Sequence, residues 1–161
     1  MSYYLIAFLL GAAAFGICRV KSQRLSMCLA AAMSVAYMVV VLSITVFSRG
    51  PTDHDFNYFP PLWAYKAILS GHPDSKGLLI QIIVNIFMLV PMGFMLPFIS
   101  RRYPVLIGIM CSLLVESMQY ITKRGYFELD DIVHNTIGIL IGYLAYKGFS
   151  NIRTRTNTSE P

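Results

Sequence analysis

The chain has 161 residues, of which 56% are hydrophobic and 13% are charged, and its formal net charge at pH 7 is +5. A soluble globular domain carries about 25% charged residues, so this composition is typical of a single-domain integral membrane protein. Because the basic residues lie in short clusters beside apolar runs, the positive charge does not indicate nucleic-acid binding. The sequence contains no spacing typical of a nucleotide or zinc site, and we expect neither a cofactor nor a metal.

Five apolar runs are long enough to cross a bilayer as helices, which takes about 17–25 residues each. They are residues 2–18, 26–48, 78–98, 103–121 and 129–149. No basic residue precedes the first run, which favours a retained span over a signal peptide. Residues 150–161 are polar, and we expect them to form a frayed cytoplasmic tail.

The long connection, residues 49–77, contains Pro and Gly residues that break helices and aromatic residues of the kind found at membrane–water boundaries. Within it, Trp63–Leu69 is predicted to form a short surface helix. The connection is interpreted either as an interfacial anchor or as a lid over polar groups. Basic residues on its side of the membrane number five, against eight on the other side. The positive-inside rule therefore puts the connection and the N-terminus outside and the C-terminus in the cytoplasm.

Polar residues form one stripe on each of the last two spans. The stripes are Gly108, Ser112, Glu116 and Gln119 in the fourth span, and Asp131, Asn135, Gly138 and Gly142 in the fifth. An acid at the centre of a span costs about 2.5–3.5 kcal/mol on insertion scales, so these stripes should face protein or water. The Gly138–Gly142 pair permits close helix contact. In the third span, Gln81 and Asn85 share a face, and Pro91 should kink the helix.

Three polar residues, Asn85, Glu116 and Asn135, fall at a similar depth, about 4–6 Å outside the midplane at a rise of about 1.5 Å per residue. We therefore expect a polar cavity open toward the outer leaflet and rimmed by Lys123 and Arg124. The cluster could serve only as interhelical hydrogen bonds, which average about 0.6 kcal/mol each. It could bind a phosphate or pyrophosphate headgroup. It could also catalyse a reaction with Glu116 as general acid or base, and His134 is then a candidate partner.

Five segments together carry a family resemblance. They are NYFPP (57–61), NIFMLVPMGF (85–94), ESMQ (116–119), KRG (123–125) and LDDIVHNTIGILIGY (129–143). Their combination resembles the VanZ-like family, which is defined by one member associated with low-level teicoplanin resistance in Gram-positive bacteria. The resemblance implies a multi-pass protein of the bacterial cytoplasmic membrane. It also implies that the family's recurrent polar positions are Asn85, Glu116, Gln119, Arg124, Asp131 and Asn135, which we take as the ligand-binding candidates.

The sequence thus predicts an all-helical membrane protein that contributes to teicoplanin resistance without being an enzyme. Its expected partners are the lipid bilayer and either the acylated glycopeptide or the lipid-linked wall precursor, which it would bind or shield at the outer leaflet. An alternative is a membrane-embedded enzyme that acts on a lipid-linked cell-envelope substrate, with Glu116 as the catalytic candidate. A third hypothesis is a partner subunit or chaperone that acts through the lipid-facing side of its first two spans.

Overall fold

A computed structural model describes residues 22–51 and 60–158, with side chains up to residue 151. Within these ranges every regular element is a helix. In chain order they are α1 (Gln23–Leu42), continued by a π-helical segment (Ser43–Phe47), then α2 (Trp63–Leu69), α3 (Ser75–Met88), α4 (Val90–Ile99), α5 (Pro104–Ile121) and α6 (Leu129–Thr158). The first predicted span, residues 2–18, lies outside the described residues.

Three helical stretches are long and apolar enough to cross a membrane. They are Gln23–Phe47, Ser75–Ile99 and Pro104–Ile121, and they correspond to the second, third and fourth predicted spans. α6, which contains the fifth predicted span, is not among them, and its first turn carries Asp130 and Asp131. The fold class is therefore confirmed as all-helical with membrane-spanning character.

The third span is two helices rather than one kinked helix. Helical geometry is interrupted at Leu89 (φ −99°, ψ 5°), and Pro91 lies in the first turn of α4. Pro91 has no N–H to donate to the carbonyl four residues earlier, so the ladder cannot continue through it. That carbonyl belongs to Phe87, and the neighbouring Met88 carbonyl accepts a hydrogen bond from the Tyr37 hydroxyl of α1. The interruption expected from Pro91 is present, and α1 supplies a side-chain donor to the backbone beside it.

The end of α1 has a different backbone pattern from the rest of the helix. The Ser48 N–H donates to the Ser43 carbonyl five residues earlier, at 2.9 Å, which is the π-helical spacing. The Thr45 and Ser48 hydroxyls each donate to the carbonyl four residues before them, at 2.8 and 2.5 Å. A π turn carries one extra residue and leaves some carbonyls without a backbone donor. Those carbonyls become available to side chains of other helices.

The centre of the bundle is α6, which packs against α3, α4 and α5. A Cβ placed on Gly138 would lie 1.9 Å from the carbonyl oxygen of Ile86, and one on Gly142 would lie 2.1 Å from that of Val90. Both glycines therefore touch the backbone at the α3–α4 junction. This is the close helix approach that the GxxxG pair predicted.

A buried apolar cluster surrounds this junction, whereas the outward faces stay apolar and exposed. The cluster contains Tyr37, Val41, Leu89, Met92, Met95, Leu96, Val115 and Ile139. Large exposed side chains include Val35, Phe87 and Leu144. In water such exposure is unfavourable, but against lipid it costs little, because acyl chains are as apolar as Leu.

α6 is longer than predicted. It has 30 residues and continues to Thr158, so the first part of the predicted tail, residues 150–158, is helical rather than frayed. At about 1.5 Å per residue it is about 45 Å long, more than the roughly 30 Å hydrocarbon core of a bilayer.

Candidate functional site

The polar stripe predicted on α5 is buried. Ser112 is 0% exposed, Glu116 is 2% exposed and Gln119 is 5% exposed. Asn135 of α6 is 1% exposed and donates from Nδ2 to Ser112 Oγ at 3.0 Å. Ser112 of α5 and Asn135 of α6 thus face each other, and both stripes face protein, as their periodicity indicated.

A tight turn ends α5 and sets the direction of the chain that follows. Lys123 has a left-handed backbone (φ 53°), its N–H donates to the Tyr120 carbonyl at 3.1 Å, and the Arg124 N–H donates to the Gln119 carbonyl at 3.0 Å. This pair of bonds is a Schellman motif, which satisfies the last carbonyls of a helix. The turn brings Arg124 next to the end of α1.

Two side chains of this region bind carbonyl groups at the end of α1. Arg124 Nη1 donates to the Phe47 carbonyl at 2.9 Å and to the Arg49 carbonyl at 2.7 Å. Gln119 Nε2 donates to the Thr45 carbonyl at 3.5 Å. These carbonyls lie in or just after the π-helical segment. Arg124 therefore holds the end of α1 through Nη1, and the same residue lines the cavity described below.

α2 is attached to the start of α6 by three hydrogen bonds. They join the Leu62 N–H to Asp130 Oδ1 at 2.9 Å, Trp63 Nε1–H to Glu128 Oε2 at 2.8 Å, and the Tyr65 hydroxyl to His134 Nε2 at 2.6 Å. The bounds of the predicted surface helix, Trp63–Leu69, are confirmed. Its Leu69 side chain is 88% exposed, as an interfacial helix requires.

His134 is buried between a tyrosine and a carboxylate. It is 2% exposed, and its Nδ1 lies 3.6 Å from Asp131 Oδ1, beyond hydrogen-bond distance. Among the described residues, three buried polar atoms near this position have no hydrogen-bond partner: His134 Nδ1, Asp130 Oδ2 and Asn135 Oδ1. Buried polar atoms without partners are uncommon and often belong to sites that take a water or a ligand.

Two glutamates are linked across the α5–α6 connection. Glu116 Oε2 accepts a hydrogen bond from the Glu128 N–H at 3.3 Å. Burial is the main cause that raises the pKa of the Glu128 carboxyl above its ordinary value. The hydrogen bond from Trp63 opposes this rise in pKa, and the guanidinium of Arg49 opposes it more weakly. Glu128 was not among the predicted site residues.

These elements enclose a cavity of about 470 Å³, within the range of small-molecule sites. Its lining residues are Arg49, Gly50, Trp63, Gln81, Gln119, Arg124, Gly125, Tyr126, Glu128 and Asp131. They come from the chain just after the π-helical segment, from α2, α3 and the end of α5, from the α5–α6 connection, and from the first turn of α6.

The structure brings together most but not all of the predicted site. Gln119, Arg124 and Asp131 line the cavity, and Glu116 and Asn135 are buried beside it. Asn85, in contrast, is only half-buried and does not line the cavity. The expected rim residue Lys123 is not part of the lining either. Sequence reasoning missed Arg49, Trp63, Tyr65, Glu128 and Asp130.

No group of three His, Cys, Asp or Glu side chains in the described part of the chain is arranged to hold a metal ion. The ionisable residues at the site instead contact hydrogen-bond donors, backbone groups or one another. Apolar spans, two buried polar stripes and a charged cavity at one end of the helices define an all-helical membrane protein with a polar site. The chain belongs to the VanZ/LLP1 family, whose model matches residues 28–151. No curated protein and no solved structure matches the chain.

Proposed function

We propose that this protein crosses the bacterial cytoplasmic membrane five times, with its cavity at the outer face, and lowers the action of acylated glycopeptides such as teicoplanin there. It does so by binding the acylated drug or by shielding the lipid-linked wall precursor that the drug recognises. The observation that carries the proposal is the charged cavity beside an exposed apolar surface. A soluble metabolite would not need that surface, whereas a lipid-anchored molecule would.

The surroundings of the cavity fit such a molecule. Phe47 is 59% exposed, and its backbone carbonyl accepts a hydrogen bond from Arg124, which lines the cavity. A headgroup in the cavity would therefore have an apolar side chain within reach of its acyl chain. Membrane partition of that chain gains about 0.8 kcal/mol for each buried CH₂. Selectivity for an acylated drug over a non-acylated one follows, since only the acylated drug stays at the membrane surface.

Drug susceptibility tests this proposal. A Gram-positive host would express the wild type, Arg124→Ala, Glu116→Gln or the control Lys76→Ala, and teicoplanin and vancomycin would be compared at matched protein levels. Lys76 is exposed at the start of α3 and does not line the cavity, so its replacement removes one positive charge without touching the site. We expect teicoplanin-selective protection from the wild type and Lys76→Ala, and loss of protection in the two site variants.

Two results would contradict the proposal. Equal protection against both drugs would mean that the acyl chain is not what the protein responds to. Selective protection retained in both site variants would mean that the polar cluster is architectural only.

Labelling tests the proposed orientation. In a background without Cys18, Cys28 and Cys111, single cysteines would be placed at Ser75, the first residue of α3, and at Arg101, between α4 and α5. A membrane-impermeant maleimide should label the first in intact cells and the second only after lysis. The reverse pattern would place the cavity on the cytoplasmic side.

The alternative function is an enzyme acting on a lipid-linked envelope substrate, with Glu116 as acid or base. Its support is the burial of Glu116 against the Glu128 backbone, directly behind the cavity lining. A catalytic proton donor needs a carboxyl, whereas a structural acceptor needs only an oxygen. Glu116→Gln retains an acceptor for the Glu128 N–H. Full function in a normally accumulating Glu116→Gln protein would therefore exclude the enzymatic role.

A further inference from the structure

The cavity is lined by charges of both signs that do not neutralise one another directly. Arg49 and Arg124 contribute guanidinium groups, and Glu128 and Asp131 contribute carboxylates. Within the described part of the chain, neither guanidinium lies within 4.0 Å of a carboxylate, and the ionisable neighbour of Asp131 at that distance is His134. Opposite charges that share a cavity without pairing leave space for a ligand that carries both.

The hydrogen bonds of these residues leave donor and acceptor capacity on both sides. Arg124 uses Nη1 for the α1 carbonyls, and Arg49 contributes its backbone carbonyl rather than its side chain to that contact. Glu128 accepts the Trp63 N–H on Oε2, so Oε1 remains for another donor. Guanidinium groups match the oxygens of a phosphate in bidentate geometry, and carboxylates accept from ammonium groups.

We propose that the cavity binds a headgroup in which a phosphate is joined to a primary ammonium by a short linker. The phosphate lies against Arg49 and Arg124, and the ammonium lies against Glu128 and Asp131, with the Trp63 ring beside it. This ligand class rests on the proposed function in one respect, that the cavity is a binding site. The same chemistry applies whether the headgroup belongs to a lipid or to a free molecule.

A primary ammonium is favoured over a quaternary one by the nature of the lining. A primary ammonium donates three hydrogen bonds, which suit two carboxylates, whereas a quaternary ammonium donates none and is recognised mainly by aromatic rings. In the described lining the aromatic residues are Trp63 and Tyr126, fewer than an aromatic cage of three or four rings would need. Phosphocholine should therefore bind more weakly than phosphoethanolamine.

Thermal unfolding of the purified, detergent-solubilised protein tests the ligand class. The probes are phosphoethanolamine, inorganic phosphate, ethanolamine and phosphocholine, each titrated while the Tm is followed. We expect phosphoethanolamine to stabilise the wild type at concentrations about tenfold below either half alone, since it gains from both ends of the site. Equal effects of phosphoethanolamine and phosphate would reduce the site to an anion site and overturn the proposal.

Matched variants assign the two ends of the headgroup. Arg49→Gln keeps the backbone carbonyl that Arg124 binds and should weaken the response to phosphate and phosphoethanolamine, but not to ethanolamine. Asp131→Asn should weaken the response to ethanolamine and phosphoethanolamine, but not to phosphate. Lys76→Gln and Asp74→Asn make the same charge changes on exposed residues outside the lining and should leave every response unchanged. Identical effects of site and control variants would mean that the probes act through net charge, which contradicts the proposal.

A second arm identifies the source of the headgroup. The protein would be released from nanodiscs of mixed phosphatidylethanolamine, phosphatidylcholine and phosphatidylglycerol, and the retained lipids measured by native mass spectrometry. Enrichment of phosphatidylethanolamine that is lost in Asp131→Asn indicates a lipid headgroup. Binding of soluble phosphoethanolamine without such enrichment indicates a free ligand.

The two proposals fail separately. Arg124-dependent protection against teicoplanin without any phosphoethanolamine binding would leave the cavity function standing and exclude this ligand class. Binding of phosphoethanolamine without any drug protection would support this ligand class and exclude the proposed role in drug protection.

Discussion

The contact between Gly138 and the α3–α4 junction gives the sharpest prediction. The Cβ of Gly138→Ala would lie 1.9 Å from the Ile86 carbonyl oxygen. Since carbon–oxygen contacts are ordinarily about 3.3 Å or longer, α6 and α3 would have to separate by about 1.4 Å. The obstacle is backbone rather than a flexible side chain, so it cannot turn aside.

The size of the effect follows from two opposing contributions. Overpacking of a well-packed interface costs about 1–3 kcal/mol. Alanine is favoured over glycine inside a helix by about 0.5–1 kcal/mol. Because the obstacle at Gly138 is backbone, its overpacking cost falls in the upper part of that range, about 2–3 kcal/mol. The net loss for Gly138→Ala is therefore about 1–2.5 kcal/mol, or about 2–10 °C in Tm at 2–4 °C per kcal/mol for a chain of this size.

Gly148 in the same helix supplies the control. It is exposed, and a Cβ placed on it would meet nothing within 4 Å. Gly148→Ala should therefore raise the Tm by about 1–4 °C, since only the helix preference remains. The assay is the fraction of folded, detergent-solubilised protein that elutes as a single peak after heating. A Gly138→Ala protein as stable as the wild type, or a shift in the same direction as Gly148→Ala, would refute the close packing of α6.

Substitutions at three further positions give the remaining predictions. Leu62 has a left-handed backbone (φ 64°) and is 56% exposed, so Leu62→Gly should be more stable than Leu62→Ala by about 1 kcal/mol in chemical denaturation; equal stabilities would contradict the strain. Tyr37→Phe leaves the Met88 carbonyl without its side-chain donor and should cost about 1 kcal/mol, visible as a lower Tm, whereas an unchanged Tm would mean that this hydrogen bond contributes nothing. Because burial raises the folded-state pKa of Glu128 above its ordinary value of 4.5, the folded state holds this proton more tightly than the unfolded state, and the stability that it contributes falls as pH rises above about 4.5. Glu128→Gln keeps an acceptor for Trp63 and should flatten that decline in a pH series of Tm measurements; an unchanged slope would refute the assignment to Glu128.

The inward face of α5 could be predicted because it depends on one helix alone. Ser112, Glu116 and Gln119 recur at helical spacing, and periodicity fixes their common direction whatever the neighbours are. The cost of placing an acid against lipid then sets which way that face points. Their burial in the structure follows from these two facts.

Asn85 shows where the same reasoning fails. Counting residues along a span gives depth but not rotation about the helix axis relative to other helices. The break at Leu89 and the contact of Gly138 with Ile86 set the rotation of α3, and both depend on packing against α6. Asn85 therefore lies at a suitable position along its helix and still misses the cavity.

The contacts of α2 could not be inferred from local pattern. Trp63 bonds Glu128 across 65 residues and Tyr65 bonds His134 across 69 residues. The sequence predicted the helix itself, but the path of a connection is set by tertiary contacts that leave no local signal. The only available signal was chemical: a run of ionisable residues at the start of α6 needs partners, and the aromatic connection is rich in donors.

The π-helical segment at the end of α1 makes the site sensitive to the number of residues in this part of the helix. Deleting one residue from an ordinary α-helix shortens it by about 1.5 Å and turns its two parts by about 100° relative to each other. The same deletion within Ser43–Phe47 would close the π turn into an ordinary α-helical ladder, so that the carbonyls left without backbone donors regain them. Here it would redirect the carbonyls that Gln119 and Arg124 bind, and so detach α1 from the cavity while leaving its hydrophobicity intact. A single-residue deletion in this segment is therefore a perturbation of the site rather than of membrane insertion.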